Sequence, residues 1–332
     1  MKKVLCLLGL VAWMWGAQNA HAKKYTFRIA TLAPGDSSWG RVFIKMRRDL
    51  LRESKGQIRI KFYPDGRMGD EKLVVNKMKL GQLHGASITS IGLAQIVPSV
   101  LLLQQPALFR SYKELDYVRE KMDAELRAQF VEKGFVLLGW GDMGYVYLYS
   151  KQPIDSVEKL KSTKIWGWTD DPITKQFSES SGITPHMLGI LDVRSSLQTG
   201  AIDTVIGTPL SIIAMQWHSY VKYRVKYRFA IGVGATVITK KSFDRLPKEL
   251  QDIVLRVSQK HHTNLIQVIR RDNNRALKVL TKRGLEHINV PAAEKKLIRQ
   301  LSRKTWDYFT DKLFSKADLE KVKGLLKEFR KK

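Results

Sequence analysis

Apolar and polar residues alternate over residues 25–30, which predicts a strand, and residues 41–53 set Val42, Met46, Leu50 and Leu51 on one helical face. Ile58, Ile60 and Phe62 repeat the strand pattern up to the turn signal Tyr63-Pro64-Asp65-Gly66. Residues 70–83 and 113–133 have helical spacing, 86–91 reads as a short buried strand, and 135–138 as another. After Ser150 the pattern resumes, with strands at 164–168, 203–206 and 235–239 and helices at 173–181 and 193–199. Strands alternating with helices predict an α/β fold with largely parallel pairing. One nearly unbroken helical pattern then covers 247–283, with Leu250, Ile253, Val254, Val257, Leu265, Ile269, Ala276, Leu277 and Leu280 in its apolar stripe. At 1.5 Å per residue it would run roughly 50 Å, more than one lobe needs, so it is predicted to bridge two.

The chain's 332 residues suit two domains. Lys2 and Lys3 precede an apolar run over 4–16, and Ala20-His21-Ala22 closes the stretch with small residues at the cleavage positions. Residues 1–22 therefore read as a secretory signal peptide, too short to span a bilayer, and the mature chain is expected in the periplasm. Cys6 lies inside this leader and is the chain's one cysteine. A mature thiol nucleophile, cysteine metal site or disulfide is thereby excluded. The 58 Lys+Arg against 31 Asp+Glu give +27, or +25 once Lys2 and Lys3 leave with the leader. A 44% hydrophobic chain is not a disordered polycation, so the charge belongs on its surface. Export argues against nucleic acid as the partner and leaves an anionic surface or an acidic protein.

Gly139-Trp140-Gly141-Asp142-Met143-Gly144 matches GxGxxG after a strand, but β-like residues follow where a dinucleotide site needs a helix N-terminus. A flexible crossover between lobes accounts for the glycines better. His261 and His262 are adjacent on a helix and cannot share a metal, so a solvated or interface role is expected. Asp170 and Asp171 precede Pro172 as helix caps rather than paired catalytic carboxylates. Neither HExxH nor GxSxG occurs. No enzyme, metal or cofactor chemistry is expected. Residues 221–229 alternate with period two, setting Lys222, Arg224, Lys226 and Arg228 on one outward face, a candidate docking surface for an acidic partner. The basic tail, 294–332, carries apolar stripes at Leu297, Leu301, Trp306, Phe309, Leu313 and Leu325 and is expected to pack.

Several landmarks occur in order: Ala30-Thr31-Leu32-Ala33-Pro34 with Ser38-Trp39-Gly40, Tyr63 to Asp70, Leu80-Gly81-Gln82-Leu83, Leu108-Phe109-Arg110, Ser150-Lys151-Gln152-Pro153-Ile154, Leu197 to Asp203, and Leu246 to Leu250. Together they resemble the solute-binding proteins of TRAP transporters, the tripartite ATP-independent periplasmic family typified by dicarboxylate- and sialic acid-binding members. The resemblance implies a two-lobed periplasmic-binding-protein fold, a cleft closing on ligand, a long helix across both lobes, and delivery to a TRAP membrane permease. It sets the lobes at 23–143 plus about 234–272, and 144–233 plus about 273–332.

The departures from the family pattern bear on the ligand. The resemblance puts Trp166 where acid-binding members place a carboxylate-clamping Arg, and Tyr145 near a second one. Thr208 closes the segment that replaces a polar run, while Leu32 and Thr89 take cleft positions. The implied ligand-binding set is Leu32, Asp70, Thr89, Tyr145, Trp166, Trp168, Thr169, Ile190 and Thr208. An unpaired buried carboxylate would cost several kcal/mol, so the expected ligand is small and apolar or amphipathic. Family members lacking the clamp are associated with a periplasmic tetratricopeptide-repeat partner, which the resemblance makes a candidate here. The alternative is an interaction protein with a vestigial cleft, binding acidic envelope components through its basic surface.

Overall fold

The computed structural model describes residues 23–331, so the leader lies outside the described residues. Ten strands form: β1 (Tyr25–Thr31), β2 (Ile58–Tyr63), β3 (Gly85–Thr89), β4 (Phe135–Ser150), β5 (Trp166–Trp168), β6 (His186–Leu188), β7 (Thr204–Gly207), β8 (Tyr223–Val225), β9 (Ala230–Thr239) and β10 (Glu286–Ile288). Eight lie in one sheet of order β10-β8-β4-β9-β3-β1-β2, with β7 also on β4, while β5 and β6 pair separately. The α/β class holds, but the pairing is mixed rather than largely parallel. β1 runs parallel to β2 and β3, as do β8 to β10 and β5 to β6. β9 is antiparallel to β3 and β4, and β4 is antiparallel to β7 and β8.

The cause is the length of β4, 16 residues where the apolar pattern predicted four. Its first part pairs with β9 from Phe135↔Thr239 to Val146↔Ala230, and its end pairs with β7 over Tyr147–Ser150. The chain thus crosses the molecule on β4 and returns on β9, a two-stranded antiparallel hinge. Register shifts at Leu137/Gly139 and Asp142/Gly144 bend this ribbon as β-bulges do.

The 35-residue helix Lys248–Lys282 lies along β4 and buries Leu250, Val254, Val257, Leu265, Ile269, Ala276 and Leu280 of its predicted stripe, with Ile253 and Leu277 half-buried at its edges. Here the glycines find their reason. A Cβ on Gly139 would sit 2.4 Å from the His262 ring, and one on Gly144 2.5 Å from the Asn273 amide. Gly144 also has φ +117°. The GxGxxG run is therefore neither a nucleotide loop nor a flexible crossover but a continuous strand stripped of side chains where the long helix presses on it.

The same packing corrects the expected role of the two histidines, which are buried. His261 Nε2 meets Asp49 Oδ2 at 2.8 Å, and His262 lies between the Ser258 carbonyl and the Thr236 hydroxyl, both at 2.7 Å. Asp171 caps helix Pro172–Ser181, accepting from the Ile173 N–H at 2.9 Å, as expected. The basic tail packs too: Trp306 Nε1 donates to the Pro106 carbonyl at 2.9 Å, and Arg330 clamps Glu114 at 2.8 and 3.0 Å. No helix among the described residues is long and apolar enough to cross a membrane.

Candidate functional site

The ends of β1 and β3 point at the middle of the β4–β9 ribbon, and this convergence encloses a cavity of about 80 Å³. Leu32, Thr89 and Ile190 line it, as expected, together with Trp39, Phe43, Ile88, Met143, Met215 and Leu265. Its ionisable wall groups are Glu71, Asp142 and His262, with no arginine or lysine among them.

Each of these three groups is internally engaged. Glu71, 2% exposed, accepts from the Thr89 N–H (2.8 Å), the Thr89 hydroxyl (2.7 Å) and the Gly92 N–H (2.8 Å). Burial outweighs those bonds and pushes its carboxyl up to about 7. His262 is pushed down to about 4 by burial, so it is neutral at pH 7; Nδ1–H donates to the Ser258 carbonyl, which leaves Nε2 to accept from Thr236. Asp142 accepts from Arg119 at 2.7 Å and Arg270 at 2.6 Å, and Asp116 closes the network on both arginines. A buried carboxylate so paired carries no spare charge for a ligand.

Asp70 joins the two sides of the cleft. One carboxylate oxygen caps helix Glu71–Lys79 through the Glu71 N–H at 2.7 Å. The other accepts from Trp168 Nε1 at 3.0 Å and the Ile190 N–H at 3.2 Å across the cleft. Beside it Lys72 pairs with Asp170 at 3.0 Å, and the Leu32 and Leu191 side chains converge over Gly66, where any Cβ would collide with Leu191 at 2.8 Å. Asp70 thus ties the start of helix Glu71–Lys79 to Trp168 and Ile190 and is not part of the cavity wall.

The other expected ligand residues fall elsewhere. Trp166 is 3% exposed, stacks on Trp168 at 6.2 Å, meets Trp217 edge-on at 5.3 Å, and donates to the Leu188 carbonyl at 3.1 Å. The indoles expected to face a ligand instead satisfy one another. Thr208 forms a capping box with Ser211 at the start of helix Pro209–Ala214, and Thr169 is exposed. Tyr145 is absent from the cavity wall. It stacks on Tyr112 at 4.2 Å, with Arg228 over its other face at 4.1 Å and Arg270 over Tyr112 at 4.3 Å. Its cleft placement rested on the resemblance to a family arginine position, and the register shift at Asp142/Gly144 lies just before it.

Neighbouring packing also takes one member out of the predicted cationic face. Arg224 is 7% exposed, lies over Tyr147 at 4.5 Å and donates to His287 Nδ1 at 3.2 Å; Lys222 pairs with Glu286 at 3.2 Å. β8 is three residues long and sits between β4 and β10, so its alternate side chains meet tyrosines rather than water. Lys222, Lys226 and Arg228 are exposed, but with Arg224 buried the four cations do not form one continuous face.

Sequence reasoning missed Glu71 and His262 as wall groups. An acid opening a helix reads as dipole compensation, and only the fold turns Glu71 inward onto β3.

The bacterial extracellular solute-binding protein, family 7 (DctP), pattern matches residues 29–313. The 2,3-diketo-L-gulonate-binding periplasmic protein YiaO of Escherichia coli K12 is 24% identical over 325 residues, covering 96% of each chain. Among solved structures, the galactonate complex of the sugar acid binding protein DctPAm of Advenella mimigardefordensis superposes with a TM-score of 0.86 at 17% identity, over 92% of this chain and 99% of that one. The β-D-galacturonate complex of a TRAP periplasmic solute-binding protein of Xanthobacter autotrophicus Py2 gives 0.83 at 24%, over 90% and 99%. The chain belongs to the family 7 bacterial extracellular solute-binding proteins, the solute-binding subunits of TRAP transporters.

Proposed function

We propose that this subunit captures a small, uncharged ligand with an apolar body in its interlobe cleft and delivers it to a TRAP membrane permease from the periplasm. The supporting observation is the cavity wall. Trp39, Phe43, Ile88, Met143 and Leu265 supply apolar area, and neither Arg nor Lys is there to receive a carboxylate. Apolar contact returns about 25 cal/mol per Å² buried. A sugar acid would surrender its hydration beside Glu71 with no cation to replace it. The relatives named above bind galactonate, galacturonate or 2,3-diketo-L-gulonate, which makes sugar acids the direct test. The lobes are assigned as 23–143 plus about 234–272, and 144–233 plus about 273–332, here called the distal lobe.

Native mass spectrometry of protein taken from its own periplasm, paired with thermal titration, decides the matter. A ligand at a hundredfold excess over Kd stabilises by about 2.7 kcal/mol. D-galacturonate and L-gulonate are expected to leave the melting temperature unchanged, while an uncharged compound co-purifies. Saturable stabilisation by either acid would overturn the reading. The interaction-protein alternative is not favoured, since the family match covers residues 29–313 and the relatives named above are binding proteins for small solutes.

A further inference from the structure

A second internal space lies mostly within the distal lobe, with Gln104 and Pro106 of the other lobe also in its wall. A cavity of about 100 Å³ lies beneath helix Pro172–Ser181, and a narrower one of about 20 Å³ adjoins it. The two share Leu148, Leu160, Phe177 and Phe229 as lining residues, so they lie side by side. The wider one exceeds the cleft's own 80 Å³. Protein interiors pack to crystal density, and a void of this size in a wall of Ile, Leu, Val and Phe forfeits contacts without admitting stable water.

Two polar side chains at the wall are engaged within the protein. Asp171 is engaged by the Ile173 N–H at 2.9 Å and the Thr174 hydroxyl at 2.5 Å. Gln104 Oε1 is engaged by the Ser90 hydroxyl at 2.6 Å and the Val233 N–H at 3.2 Å. The narrow end reaches the half-buried loop at Asp155 and Ser156, where Lys159 pairs with Asp155 at 2.8 Å. Side by side, the two offer a wide, mostly apolar part, a narrow apolar part and a polar rim at Asp155 and Ser156.

We propose that the distal lobe holds a second ligand site, which takes a single linear aliphatic chain with its tail under helix Pro172–Ser181 and its polar head at the Asp155–Ser156 rim. A flat ring would fill the wide part and leave the narrow part empty, whereas a chain fills both. The site is separate from the cleft and stands whatever the cleft binds.

Octan-1-ol is the probe and octane-1,8-diol the control, because the diol must bury a hydroxyl at the closed end. In wild-type protein carrying labelled isoleucine δ1-methyls, octan-1-ol is expected to shift Ile173, Ile183 and Ile206 saturably and to leave Ile88 and Ile190 of the cleft in place. The diol should bind at least tenfold more weakly. Val146→Phe, which fills the space, should abolish the response without lowering the melting temperature; should that variant misfold, the wild-type methyl map decides alone. Saturable shifts confined to Ile88 and Ile190, absence of any saturable shift, or equal binding of the diol would each overturn the proposal.

Discussion

Glu71 and His262 face the same cavity and are displaced in opposite senses by the same cause, burial. Glu71 is raised, from 4.5 to about 7, so its contribution is fully present below pH 4.5 and is lost as pH rises toward 7. His262 is lowered, from 6.5 to about 4, so its contribution is present above pH 6.5 and is lost as pH falls toward 4. Each shift corresponds to about 3 kcal/mol. Between pH 4.5 and 6.5 the two slopes cancel, and only variants reveal them. In urea unfolding, the stability of wild type minus that of Glu71→Gln should fall by about 3 kcal/mol from pH 4.5 to 7. A pH-independent difference would mean that the three hydrogen bonds to Glu71 already keep it ionised. A second residue-scale prediction concerns Gly139: Gly139→Ala drives a methyl into a ring fixed at both nitrogens and should cost about 3 kcal/mol. Gly141→Ala, whose nearest obstacle is a Leu265 methyl at 3.3 Å, should cost well under half as much in the same unfolding assay.

Elements whose apolar period matches one burial environment were legible in the chain. Helix Val193–Thr199 has the expected limits, and the stripe of Lys248–Lys282 identified its buried face. β4 was not legible because its environment changes along its length. Its first residues are core, its glycines lie under the long helix, and its end carries tyrosines stacked with arginines, so no single period runs through it. The tie between the long helix and β4 is testable at Arg270. Arg270→Met leaves Asp142, whose side chain is fully buried, with Arg119 as its remaining cation, and removes the stacking partner of Tyr112. Stranding part of a buried ion pair costs about 3–5 kcal/mol. Arg270→Met with Asp142→Asn should recover part of that loss in a double-mutant cycle, since the uncompensated charge goes with it. Additive losses would show that Arg270 acts by packing alone.

At the scale of the whole molecule, the ordered landmarks made the two-lobed architecture readable, whereas the cleft was readable only in part. Leu32, Thr89 and Ile190 belong to its wall, but Trp166, Trp168 and Tyr145 were placed there by position in a pattern, and position cannot tell a ring that faces a ligand from one that faces another ring. Trp168 gains a different meaning, since its indole N–H on Asp70 is a polar contact across the cleft, additional to the ties that the C-terminal tail makes to Pro106 and Glu114. Hydrogen bonds to a charged group contribute about 1.5–3 kcal/mol, and each 1.4 kcal/mol shifts an equilibrium tenfold. Trp168→Phe keeps the aromatic packing and deletes the donor, so the closed population should fall about tenfold or more relative to the open one, and apparent ligand affinity should fall with it. Small-angle scattering is expected to give a larger radius of gyration for Trp168→Phe than for wild type, with Lys72→Ala adding little because that ion pair is exposed. A scattering curve unchanged by Trp168→Phe would place the restraint on closure in the β4–β9 hinge rather than in the contact at Asp70.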